Sequence, residues 1–100
     1  MRKEIRQRLY KLLLHISELP VYDECGIIAL TARELKRRIA ESKAAMPDPA
    51  RDACYMAAVL GLVELLPASS LKKCARAALR MELNRYRRVH LFPRRIARHV

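Results

Sequence analysis

Tryptophan is missing from this chain, phenylalanine occurs once, at Phe92, and glycine twice, at Gly26 and Gly61. So few bulky rings exclude a core built on aromatic stacking, and two isolated glycines cannot form a loop that cradles phosphate. Amide side chains are as scarce, with Gln7 and Asn84 the only two. That scarcity, beside fifteen Arg and six Lys, points to a thermophilic source, while a GC-rich genome would equally favour Arg and Ala. No apolar run approaches the ~20 residues that span a bilayer. The opening MRKEIRQRLYKLLLHISE interleaves charge with leucine instead of presenting a signal-peptide block, so an intracellular, cytoplasmic protein without a membrane partner is expected.

Reactive and ligating groups are thin as well. Cys25, Cys54 and Cys74 are odd in number and lack C-x-x-C spacing, which argues against a zinc site and against a secreted disulfide framework. They read as small buried thiols, and a hyperthermophilic source would add one disulfide, with Cys54 and Cys74 the preferred pair. His15, His90 and His99 stand apart, with no carboxylate at ligand or relay spacing, and Asp23-Glu24 beside Cys25 reads as a turn supplying caps. No enzymatic activity, metal or cofactor is expected.

What the chain does have is aliphatic and basic. One hundred residues make a single small domain, 52% hydrophobic and with fourteen alanines, which suits a helical core. Ile5, Leu9, Leu12, Leu13 and Ile16 draw an amphipathic stripe for a first helix over Lys3 to Leu19, stopped by Pro20. GIIAL reads as a short strand, and Thr31 with Glu34 as the capping box of a second helix through LKRRIAESK, with Leu35 and Ile39 on its buried side. Asp48 and Pro49 start a third helix that ends near Leu60 at Gly61, LVELLP is a second extended segment, and Ser69 or Ser70 caps a fourth helix to about Leu91. The expected fold is mainly α, about four helices, with two short strands.

Helix, strand, the capped helix TARELKRRIAE, a turn, a further helix and then LGLVELL is an order that resembles a winged-helix or helix-turn-helix DNA-binding domain over residues 5 to 66. The resemblance implies that the third helix enters the major groove and that LGLVE leads into the wing. It would put Asp48, Arg51, Asp52 and Tyr55 at the groove, of which only Arg51 reads bases or phosphates well, so weak base discrimination is implied. The plain alternative makes Arg51 and Asp52 solvated first-turn residues. Two features depart from the family pattern: ESKAAMPDP is longer than a tight turn, and a helix follows LVELLP where a returning strand belongs.

Charge divides the chain into a core of residues 1–70, a long basic helix over 71–92 and a tail of 93–100. From Leu71 onward there are ten of the twenty-one Lys and Arg against one acid, Glu82, whereas the first seventy residues nearly balance. On the fourth helix Leu71, Ala75, Ala78, Leu79, Leu83 and Tyr86 share the packing side. Lys73, Arg76, Arg80, Asn84 and Arg87 form a separate line flanked by Lys72 and Arg88, and Arg94, Arg95 and Arg98 extend it. A one-sign line with few acids to pair it suits phosphates, which arginine meets with a planar fork of donors. The expected function is nucleic-acid binding of low sequence specificity, DNA before RNA, with a homodimer or a larger assembly as possible forms. The alternative is a structural component of a ribonucleoprotein or virion that holds RNA or packaged DNA.

Overall fold

The structure, a computed structural model, describes residues 1–19 and 26–91. Four helices follow one another: α1 (Lys3–Glu18), α2 (Ile27–Ser42), α3 (Pro49–Glu64) and α4 (Ser70–His90). There is no strand among the described residues, so the mainly helical expectation holds and the two short strands do not.

The first helix forms as its stripe predicts and buries Ile5, Leu9, Leu13 and Ile16. The second begins earlier than expected. GIIAL is not extended: Gly26 takes the left-handed conformation at φ 63°, which costs a residue without Cβ nothing, and helix starts at Ile27. The β-branched preference of two isoleucines is worth only about tenths of a kcal/mol, and in the added turn Ile28 packs against the core while Ile27 and Leu30 stay exposed. Thr31 consequently lies one turn inside α2, half-buried, and is not its cap.

Asp48 and Pro49 start α3 as expected, the carboxylate accepting from the Arg51 backbone N–H at 3.1 Å. The helix does not stop at Gly61. It continues to Glu64 because Leu62 and Val63 fall on its buried side, so the first half of the second expected strand is the last helical turn and the rest is a turn. Ser69 caps α4 by accepting from the Lys72 N–H at 3.1 Å.

Leu79, Leu83 and Tyr86 of α4 join the core that α1, α2 and α3 build around Leu9, Leu13, Ile39, Met56 and Val59. The main helix contacts are between sequence neighbours, α1 with α2 and α3 with α4, while the backbones of α1 and α4 stay apart and these two helices meet through side chains. Asp52 near the start of α3 meets Tyr86 near the end of α4, and Glu64 at the end of α3 meets Arg76, so α3 and α4 run antiparallel. Asp52 is not solvated but 3% exposed. Its Oδ2 accepts from the Met1 ammonium at 2.7 Å and from the Tyr86 hydroxyl at 3.0 Å, so one buried carboxylate joins the chain start, α3 and α4.

Candidate nucleic-acid interface

A helix that buries Leu79, Leu83 and Tyr86 must turn the opposite arc outward, and on α4 that arc carries Lys73, Cys74, Ala77, Arg80, Met81, Asn84, Arg85, Arg87 and Arg88, all exposed. Ala78, expected in the packing face, is exposed too, and Leu71 and Ala75 are half-buried at its margin. Its lone acid is already engaged: Glu82 accepts from Arg8 Nη1 of α1 at 3.0 Å.

The expected basic residues separate by environment. Lys73, Arg87 and Arg88 are exposed with no acid within ion-pair distance among the described residues, and so is Arg85, which had not been singled out. Arg76 and Arg80 lie 3.8 and 3.6 Å from the two carboxylate oxygens of Glu64, an acid contributed by α3. Lys72 is turned inward, its Nζ donating to the Glu64 and Leu66 carbonyls at 3.0 and 2.9 Å, where an ammonium suits the negative end of α3. Arg51 is occupied as well: one Nη donates to the Met46 carbonyl at 3.1 Å and lies 3.7 Å from Asp52, while its buried Nε has no partner. Arg94, Arg95 and Arg98 lie outside the described residues.

Two surface depressions show what local spacing hides. Arg8 of α1 lines one together with Asn84, Arg85 and Arg88, and Arg2 lines the next together with Arg85 and His90. The basic surface thus has a second edge, built where α1 passes α4. The i to i+3 spacing of Arg85 and Arg88 is its only signal in the sequence. Nothing local points to Arg2, Arg8 or Glu64.

The polar face of α2 provides the contrast. Glu34 accepts from Arg37 and from Arg38, the latter at 3.0 Å, and Glu41 accepts from Arg37 as well. The Arg37 and Arg38 hydrogen bonds hold the Glu34 carboxyl down at about 2. Mixed signs satisfy each other there, and α4 has no such partners of its own.

The one tyrosine of α4 is taken up by the core. Tyr86 is buried, burial and then the Asp52 hydrogen bond pushing its hydroxyl up to about 12, and its ring meets His90 at a centroid distance of 4.3 Å. Cys54 and Cys74 are free thiols on exposed positions of different helices, not buried and not paired. The described residues hold no cluster of three metal-ligating side chains and no helix long and apolar enough to cross a membrane.

The chain matches no protein-family model, no curated protein and no solved structure.

Proposed function

We propose that this chain binds nucleic acid, double-stranded DNA foremost, through the outward arc of α4. The observation that carries the reading is the one-sign exposed surface of that helix: Lys73, Arg80, Arg85, Arg87 and Arg88 face solvent, and its only acid is held by Arg8. Arg85 and Arg88, three residues apart, repel by roughly a few tenths of a kcal/mol, and phosphates relieve repulsion along such a surface while releasing condensed counterions. Duplex is favoured over single strands because the described residues put no unoccupied aromatic ring on the arc, and stacking is what unpaired bases ask of a binding surface.

The test is a titration of duplex DNA, single strands and structured RNA at matched salt, repeated across salt concentrations. Changing Arg80 and Arg87 together to Gln should weaken binding to unrelated duplexes alike. It should also lower the log-log salt slope by roughly two, or somewhat less where Glu64 already neutralises Arg80. An unchanged slope overturns the reading.

A further inference from the structure

Directly opposite the buried edge of α4 runs one line of exposed side chains, Cys74, Ala77, Met81, Asn84 and Arg88, at spacings of three and four. Its first half is small or flexible. Its second half carries the only amide of α4 and an arginine one turn on, both exposed. Lys73, Arg80 and Arg87 border the line on one side. Arg85 borders it on the other, where Arg2, just before α1, shares a depression with Arg85, and Arg8 of α1, paired with Glu82, shares one with Asn84, Arg85 and Arg88.

We infer that α4 lies in the major groove of duplex DNA, with Asn84 and Arg88 on base edges and the two basic borders on the phosphates of opposite strands. This rests on the nucleic-acid reading above and deepens it. A B-form major groove is about 12 Å wide, room for one helix of roughly 10–12 Å with its side chains, and Cys74 and Ala77 add little to that diameter. Basic residues on one border alone would suit a helix laid along a single strand. Residues on both borders suit a helix with a strand on either side. An asparagine amide matches adenine N6 and N7 in bidentate fashion, and an arginine matches guanine O6 and N7. The deep, narrow major groove of A-form RNA admits no such helix, so duplex RNA should bind poorly.

The experiment selects preferred sites from a randomised duplex library with the wild type, Asn84→Ala and Arg88→Gln. Both changes are at exposed positions, and unchanged melting confirms the fold. The wild type should fix an adenine and a guanine close together. Asn84→Ala should relax the first and Arg88→Gln the second, each with a loss of about 10- to 100-fold on the selected site, and 7-deaza bases at those positions should reproduce the losses. In parallel, bound duplex should slow alkylation of Cys74, in the groove-facing line, by at least about tenfold while Cys54 on α3 reacts as before, because a groove about 8.5 Å deep covers a thiol on that line almost completely. Duplex binding without any selected site, or with Cys74 alkylated as fast as in the free protein, overturns the groove placement and leaves phosphate binding standing. Failure to bind any nucleic acid removes both.

Discussion

Glu64 is the residue that most alters what the basic helix can do. Its carboxylate sits between Arg76 and Arg80, so part of the positive potential of α4 is neutralised inside the molecule. Glu64→Gln is expected to tighten duplex binding several-fold and to steepen its salt dependence, while unfolding free energy changes by less than ~1 kcal/mol, since a partly exposed pair contributes little. Binding unchanged at low salt would show that these arginines take no part. Tyr86 makes a prediction of another kind. Its folded pKa, about 12, lies above the ordinary value of 10, so the folded state holds the proton more tightly than the unfolded state. Stability from this group is therefore complete below pH 10 and is lost as pH rises from about 10 to 12, on the order of 2 kcal/mol in all. Tyr86→Phe should remove that alkaline loss and should cost about 1–2 kcal/mol at neutral pH, because Asp52 then loses a donor in a buried site. Urea titrations of both proteins at pH 8 and pH 11 measure the two effects.

Among the elements, legibility followed the range of the forces involved. The helix start at Asp48, and that of α4 to within Ser69 or Ser70, were readable because a cap is a contact between residues three apart, and the stripe of α1 because burial repeats with the helix period. At GIIAL and Gly61 local preference favours a strand and a stop, whereas packing of Ile28 against the core and burial of Leu62 and Val63 go with helix. The basic line of α4 was legible as periodicity. Its second edge and the Glu64 and Arg8 pairings were not, since they join residues remote in sequence. Gly61 turns this into a test. It is an exposed position inside α3, without positive φ, where an added Cβ meets nothing within 4 Å, so Gly61→Ala should stabilise the protein by about 0.5–1 kcal/mol. A helix that truly ended at Gly61 would be destabilised instead. Thr31→Ala, by the same logic, should change stability by less than ~0.5 kcal/mol, whereas Ser69→Ala should cost about 1 kcal/mol by removing a real cap.

At the scale of the whole molecule, a net charge of +11 concentrated toward one end gives salt two opposite effects. Binding to DNA should weaken as counterion release loses its advantage, while the free protein should melt at higher temperature as repulsion along α4 is screened, the screening length falling from ~30 Å at 0.01 M to ~10 Å at 0.1 M. Melting curves of the free protein across that range check the second half, and a melting temperature that falls with salt would mean that attractive pairs dominate. The pattern of helix packing carries one more consequence. Since α1 meets α2, and α3 meets α4, each across a short stretch of chain, most of the native structure closes small loops, and the Asp52 cluster and the Arg8–Glu82 pair tie distant ends together. Such an arrangement folds quickly: stopped-flow refolding should finish in about a millisecond or less, as for other helical chains of low contact order, and Asp52→Asn, which weakens a late long-range tie, should chiefly accelerate unfolding.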